Sequence, residues 1–299
     1  MEPVADRRFD YRGAVQRIAE LQAGCGSEVN PVCRPILLDH GERTAGVVVW
    51  FHGYTNCPRQ FEALGRKCFE AGYNVYIPLA PAHGLADRMT RQHARITSET
   101  LGRFAEESVD IAHGLGQRIA VGGMSMGGTL ASWLAARRAD IDLALPIAPV
   151  YSPFSAPLWL ARLFAFALRR AAPNIMIWWN AAKKKSISGP QNAYYRYSLR
   201  GIGHIMRLAF ETLGSSAKRE PAAGRLHFVL NDNDEAIDNS LAKSAVSAWR
   251  MKGTDRVDLT VFPRELGLIH DLIDPLQRQQ KVDLVYPVLL DILRREMPI

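Results

Sequence analysis

The sequence predicts an α/β fold, a mostly parallel central sheet flanked by helices and broken once by an inserted, mainly helical segment. Three observations predict it. The run Val47-Val48-Val49-Trp50-Phe51 is apolar at every position, as in a strand buried on both faces. A helix-like stretch from Pro58 to Gly72 leads straight into Tyr73-Asn74-Val75-Tyr76-Ile77, and helix followed so quickly by strand is the mark of a parallel crossover. After Leu143-Ala144-Leu145-Pro146-Ile147-Ala148 the alternation stops, and it resumes only at Leu226.

Taken in order, Tyr11, Val15, Ile18 and Leu21 recur at helical spacing and predict a helix leaning on the sheet. Ile36-Leu37-Leu38 and Val47 to Phe51 are strand-like, and Asp39-His40-Gly41-Glu42 between them suits a hairpin turn. In the Pro58 to Gly72 helix, proline opens the first turn, Phe61, Leu64 and Cys68 share a face, and Gly72 ends it. A loop, Pro78 to Arg88, follows the next strand. Thr97 or Ser98 caps a helix carrying Leu101, Phe104, Ala105, Ser108 and Ala112, which delivers the chain to the strand Arg118 to Gly122. Beyond the break come the strand 226–230, a helix from Asp238 to Met251, the strand Val257 to Phe262 and a last helix, Val282 to Arg294. The expected division is a core of 1–150 and 211–299 with an inserted cap at 151–210. That insertion is rich in aromatic residues: Trp159, Phe164, Phe166, Trp178-Trp179 and Tyr194-Tyr195-Arg196-Tyr197. Beside a candidate nucleophile, such a segment reads as a lid walling an apolar pocket.

Composition narrows the class. With 299 residues, 47% hydrophobic and 22% charged, the chain has the make-up of an ordinary globular protein, and no unbroken apolar run is long enough for a membrane span. Met1-Glu2-Pro3-Val4-Ala5-Asp6-Arg7-Arg8 lacks the order of a signal peptide, so a cytoplasmic protein is expected. The net charge of +7 is scattered and accompanies no nucleic-acid module, so no nucleic-acid partner is expected. The densest basic run, Lys183-Lys184-Lys185 after Arg169 and Arg170, reads as a solvated face, with contact to an anionic partner or lipid surface the minor alternative. Cys25, Cys33, Cys57 and Cys68 have neither zinc-ligand spacing nor a Cys-x-x-Cys pair. No metal or cofactor is expected; free thiols are, with a Cys25–Cys33 loop as the oxidised alternative.

The chemistry gathers after strands, where ligands bind in parallel sheets. Gly123-Met124-Ser125-Met126-Gly127 follows an apolar strand and opens a helix bearing Leu130, Trp133 and Leu134, the setting of a nucleophile elbow. There Ser125 sits at the apex of a strained turn, and glycines at 123 and 127 avoid collisions with neighbouring backbone. A serine hydroxyl needs a base to take its proton and an acid to orient that base. His270, after the 257–262 strand, and Asp234, after the 226–230 strand, supply both in the order Ser, Asp, His. Asp232 and Asp238 share the acid loop; Asp234 is favoured by its spacing before Ile237. Among other histidines, His40, His113 and His204 read as surface or packing groups, His227 is held in a strand, His83 and His93 lie on a loop that can line the site, and His52 braces the loop after the 47–51 strand.

Trp50-Phe51-His52-Gly53-Tyr54-Thr55, Pro81-Ala82-His83-Gly84, the Gly123-x-Ser125-x-Gly127 elbow, Asp234-x-x-Ile237 and Leu268-Ile269-His270 together resemble the serine α/β-hydrolase superfamily, in its monoglyceride-lipase and carboxylesterase-like branch, over residues 45 to 293. The resemblance implies the α/β-hydrolase fold and an oxyanion hole built from the backbone N–H groups of Tyr54 and Met126, with His52 and Gly53 supporting that loop. One departure is Ala82, where such enzymes usually carry glycine. The function implied is cofactor-free hydrolysis of a small carboxylic ester with an apolar acyl or aromatic group, through a Ser125–His270–Asp234 triad and an acyl-enzyme. The alternatives on the same triad are a thioesterase, amidase, lactonase or carbon–carbon bond hydrolase, and, from another class, a non-catalytic binding module. Contact of the Trp159 to Trp179 block with a lipid surface is a weaker expectation.

Overall fold

The computed structural model describes residues 9–170, 174–179, 190 and 192–299; Met1 to Arg8 and Lys183 to Lys185 lie outside the described residues. Its centre is a seven-stranded sheet in the order β1 (Ile36–Leu38), β3 (Asn74–Ile77), β2 (Thr44–Phe51), β4 (Gly116–Met124), β5 (Leu143–Ile147), β8 (Arg225–Asn231) and β9 (Val257–Phe262). Every neighbouring pair is parallel except β1 with β3. The chain runs outward from β2 to β3, then returns to build β4, β5, β8 and β9 on the other side. The order therefore switches between β2 and β4, and in parallel sheets that crevice is where ligands bind.

The helices form where the sequence patterns place them. α1 (Tyr11–Ala23) is capped by Asp10 and buries Ala14 and Ile18. A short 3-10 turn at Pro58–Phe61 leads into α2 (Glu62–Glu70). α3 (Ser98–Leu115) starts at Thr97, whose side chain takes the Thr100 N–H while the Thr100 side chain takes the Thr97 N–H, a reciprocal cap. α4 (Met126–Ala135) leaves the end of β4 and is buried along its whole length. α7 (Ser240–Arg250) packs against β9, and α8 (Val282–Glu296) buries Val285, Tyr286, Leu289 and Ile292. The central strands are apolar on both faces, with Val47 to Phe51 and Ile119 to Val121 at most 1% exposed. Burial of this extent between two helical layers is the main stabilising force, at roughly 25 cal/mol for each Å² of apolar surface removed from water.

Between β5 and β8 the chain forms α5 (Leu158–Arg170), a two-stranded antiparallel ribbon of β6 (Met176–Trp178) and β7 (Arg196–Ser198), and α6 (Leu199–Ser216). α6 packs against both α5 and α4, so the segment is seated on the core rather than extended from it.

Two sequence expectations are corrected. β1 and β2 do not form a hairpin: β1 pairs antiparallel with β3, and β2 takes its hydrogen bonds from β3 and β4. Asp39-His40-Gly41 still turns the chain, but the turn lifts it over the position that β3 fills, because the apolar β2 is satisfied only between two buried neighbours. Nor are all cysteines free. Cys33 and Cys57 are joined, with Cα atoms 5.3 Å apart, inside a small apolar cluster that also contains Val29; Cys25 and Cys68 are free thiols. Cys25, just beyond α1, instead turns its sulfur to the Leu21 carbonyl in the last turn of that helix at 3.4 Å. The pairing follows from the turn at Asn56-Cys57 after β2, which no local spacing records.

Candidate active site

β4 ends at Met124 and Ser125 turns the chain into α4 with φ 59° and ψ −111°. A non-glycine residue in this region is strained at a cost of about 1–3 kcal/mol, and it persists only where surroundings enforce it. Here the Ser125 N–H donates to the Ile147 carbonyl at 2.9 Å, while its own carbonyl receives the Thr129 and Val150 N–H groups at 3.0 and 3.3 Å. The flanking glycines are required by close approach: a Cβ on Gly127 would lie 1.9 Å from the Phe51 carbonyl oxygen, and one on Gly123 would lie 2.4 Å from the Gly127 backbone. The turn can fold this tightly only with both side chains missing.

Three side chains from three strand ends meet there. His270 Nε2 lies 3.0 Å from Ser125 Oγ, and His270 Nδ1 lies 2.6 Å from Asp234 Oδ2. Asp234 is wholly buried. Its other oxygen receives the Ala236 and Ile237 N–H groups at 2.9 and 3.2 Å, which is why the spacing to Ile237 matters. Burial pulls the His270 pKa down, but the charge and hydrogen bond of Asp234, with the charge of Asp271, push it further up, so it rises above its ordinary value. The other acids of the loop are engaged elsewhere: Asp232 pairs with Lys243 at 2.8 Å, and Asp238 caps the turn at Ser240.

The loop after β2 faces the elbow. His52 donates from Nδ1 to the Gly53 carbonyl at 2.9 Å and accepts the Ala80 N–H at Nε2 at 3.1 Å. Burial, then the neighbouring His83, pushes its pKa down to about 3, so the ring is neutral and both bonds persist across ordinary pH. The Gly53 N–H donates to Gln60 Oε1 at 2.8 Å, and Gln60 Nε2 donates to Asp271 Oδ2 at 2.9 Å. Gln60 thus ties this loop to the residue after His270. Sequence reasoning missed both: Asp271 carried one signal, its place beside the base, but Gln60 meets a partner 211 residues away and carried none. Met126 opens α4, where a first-turn N–H has no intrahelical acceptor.

His83 and His93 do not line the Ser125 cavity. They stand behind it, His83 with Nε2 2.7 Å from the Tyr54 carbonyl and His93 stacked on Tyr194 at 4.7 Å. His40 stacks on Phe69, His113 bonds Asp140 at 2.8 Å, and His227 bonds Thr260 at 2.8 Å. His204 lies against Ser98. Ala82, the departure from glycine, holds φ 61°, a left-handed conformation that glycine adopts without strain.

Above Ser125 opens a cavity of about 360 Å³, a size suited to a small ligand. Ser125, His270 and Tyr54 form its floor, and Phe164, Trp179, Tyr195, Tyr197, Leu199 and Ile202 wall it from the inserted segment. That segment is fastened to the loop after β2: Trp179 Nε1 donates to Thr55 Oγ1 at 2.9 Å, and the Tyr194 N–H to the Thr55 carbonyl at 2.8 Å. Among the described residues, only His227, Asp258 and Glu296 bring three possible metal ligands together. Arg225 bonds both of those carboxylates, so a guanidinium already supplies the positive charge.

The alpha/beta hydrolase family model matches residues 48–269. A thermostable monoacylglycerol lipase from Bacillus sp. (strain H-257) is 35% identical over 104 residues, a stretch covering 33% of this chain and 39% of that protein. Among solved structures, a Paleococcus ferrophilus monoacylglycerol lipase superposes with a TM-score of 0.67 at 13% identity, covering 88% of this chain and 98% of that one. A soluble variant of the Saccharomyces cerevisiae monoglyceride lipase, in complex with a substrate analog, gives 0.64 at 16% identity over 88% and 91% of the two chains. Est1E from Butyrivibrio proteoclasticus with ferulic acid bound gives 0.56 at 12% over 89% and 95%. These structures share the fold. The family match runs from inside β2, through the elbow, to the residue before His270, and on it the chain belongs to the alpha/beta hydrolase family.

Proposed function

We propose that the protein is a serine hydrolase of small carboxylic esters with an apolar acyl or aromatic group. The observation that carries this reading is the continuous relay Asp234–His270–Ser125, at 2.6 and 3.0 Å, on the floor of an aromatic-walled cavity. His270 accepts the Ser125 hydroxyl proton at Nε2 while its Nδ1–H stays on Asp234, and Oγ attacks the ester carbonyl. The Tyr54 and Met126 N–H groups receive the oxyanion, each donor lowering the barrier by about 3 kcal/mol. His270 then returns the proton to the departing alkoxide, and water repeats the sequence on the acyl-enzyme. In this reading residues 151–210 act as the cap. Its Phe164, Trp179, Tyr197 and Ile202 supply apolar walls that set which acyl group fits, and the monoacylglycerol-lipase and esterase relatives support the ester-hydrolase reading.

Two measurements test it. A fluorophosphonate probe should label Ser125 in the folded protein, and failure to label would sink the catalytic reading. A p-nitrophenyl ester series from acetate to palmitate should show turnover that rises and falls with acyl length. A flat zero across that series, with Ser125 still reactive, transfers the same triad to thioester, amide, lactone or carbon–carbon bond cleavage.

A further inference from the structure

Beside the Ser125 cavity, and sharing no lining residue with it, is a second cavity of about 400 Å³. α6 is the partition between them. Leu199 and Ile202 face the Ser125 cavity, whereas Arg200 and His204, one helical turn apart, face the second. α5 is divided in the same way, with Phe164 on one side and Arg169 on the other. The loop Arg91 to Thr97 closes the third side and adds Arg91 and Arg95.

Four arginines and a histidine therefore converge on one cavity whose described lining contains no carboxylate. The nearest acid on α3, Glu99, lies outside that lining and is bonded to Arg207, though its charge also reaches Arg169 and His204. Arg91 is pinned by donating to the Asn174 carbonyl at 3.1 Å. Arg169 lays its stem on α6, where a Cβ at Gly203 would come within 3.0 Å of its Cγ, and its buried Nε–H has no hydrogen-bond partner. His204 Nδ1 accepts the Ser98 N–H at 3.2 Å, which leaves the proton of the neutral ring on Nε2. Burial, followed by the charge of Arg169, holds His204 below the ordinary imidazole range. Guanidinium groups that line one cavity present forked donors to it, and a doubly charged oxyanion is the ligand that matches both their charge and their geometry.

We propose that this cavity binds a phosphate-bearing anion, with Arg91, Arg95, Arg169 and Arg200 as its donors. Donors arriving from three elements suit a tetrahedral dianion better than a planar carboxylate, and the cavity has room for an organic group attached to the phosphate. Its occupant would bridge the loop 91–97 of the core and both helices of the inserted segment.

Binding is measured by calorimetric titration of the full chain at constant ionic strength with sodium phosphate, with glycerol 3-phosphate, and with phosphatidylcholine vesicles with or without phosphatidic acid. Saturable binding to the soluble phosphates supports the site with a metabolite as its ligand. Binding confined to phosphatidic acid vesicles supports it with a lipid headgroup. Arg169→Gln and Arg95→Gln should each weaken binding about tenfold while leaving p-nitrophenyl ester turnover unchanged. Phosphate should also shield the four arginines of the unaltered chain from phenylglyoxal, a readout independent of how either variant folds. No saturable binding to any of these ligands, binding that both folded variants retain in full, or equal phenylglyoxal modification with and without phosphate would each overturn the proposal.

Discussion

Ser125 is held in a strained conformation by its neighbours, and its hydroxyl is already within hydrogen-bond reach of His270. Under the proposed mechanism, Ser125→Ala or His270→Ala should lower kcat by about 10⁶ and Asp234→Asn by about 10⁴, with thermal stability little changed. In that mechanism the free base is the active form, and against the pull of burial Asp234 and Asp271 raise its pKa above the ordinary imidazole value. Activity should therefore be lost as pH falls through a value above that of an ordinary imidazole, read as the acidic limb of a kcat/KM profile. A limb below the ordinary imidazole value would mean that burial outweighs Asp234 and Asp271. Gln60 acts one step removed. Gln60→Ala leaves the Gly53 N–H without its acceptor and Asp271 Oδ2 with only Gln277 as amide donor, so kcat should fall about 10- to 100-fold while KM changes little, since Gln60 positions the loop proposed to receive the oxyanion. A parallel rise in KM would instead make it a substrate-binding residue.

At the scale of elements, α6 carries the most information, because it touches the elbow helix, α5 and the loop after β2 at once. Tyr54, the proposed oxyanion donor, pushes its ring beneath this helix and donates its hydroxyl to the His93 carbonyl at 3.1 Å. A Cβ at Gly201 would lie 1.8 Å from that hydroxyl, deep in the core. Gly201→Ala should thus cost about 1–3 kcal/mol in urea unfolding and also depress kcat, because the collision is transmitted to the Tyr54 backbone. Gly214, on the same helix, has nothing within 4 Å of a built Cβ. Gly214→Ala should stabilise the protein by about 0.5–1 kcal/mol with activity unchanged. Opposite signs from two identical substitutions on one helix would locate the effect in Tyr54; equal signs would remove that explanation.

For the molecule as a whole, the Cys33–Cys57 link ties the N-terminal segment to the turn leading into α2, closing a loop with a sequence separation of 24. Cross-links of this span stabilise by about 3 kcal/mol. Unfolding without reductant should release two thiols, from Cys25 and Cys68, and reduction should lower the melting temperature. Four thiols in the non-reduced protein would show the pair open. Such links persist in oxidising compartments, and the thiol count therefore also bears on the cytoplasmic address expected from the N-terminal sequence. Among the described residues no helix is long and apolar enough to cross a membrane. α5 nonetheless exposes Trp159, Leu163 and Phe166 at 67, 57 and 46%. The aromatic block thus divides between the cavity wall and the outer surface.

The elements that sequence determined are those whose signals are local. Val47 to Phe51 could be read as a buried strand because each residue is apolar, and the elbow because two glycines bracket a serine between strand and helix. Asp234 is favoured over Asp232 and Asp238 by its spacing before Ile237, and its bonds to Ala236 and Ile237 fall within that same short span. What only the tertiary structure decided depends on partners far along the chain. β1 chose β3 over its sequence neighbour, Cys33 chose Cys57 over Cys25, and Gln60 found Asp271. Likewise α6 sorted its residues between two cavities, with Arg169 and Arg200 reaching one and Phe164 and Ile202 the other. Local chemistry fixes which residues can react or turn the chain, since backbone sterics and short hydrogen bonds act over a few residues. Pairing, cross-linking and the walls of cavities are fixed only when packing brings distant segments into van der Waals contact.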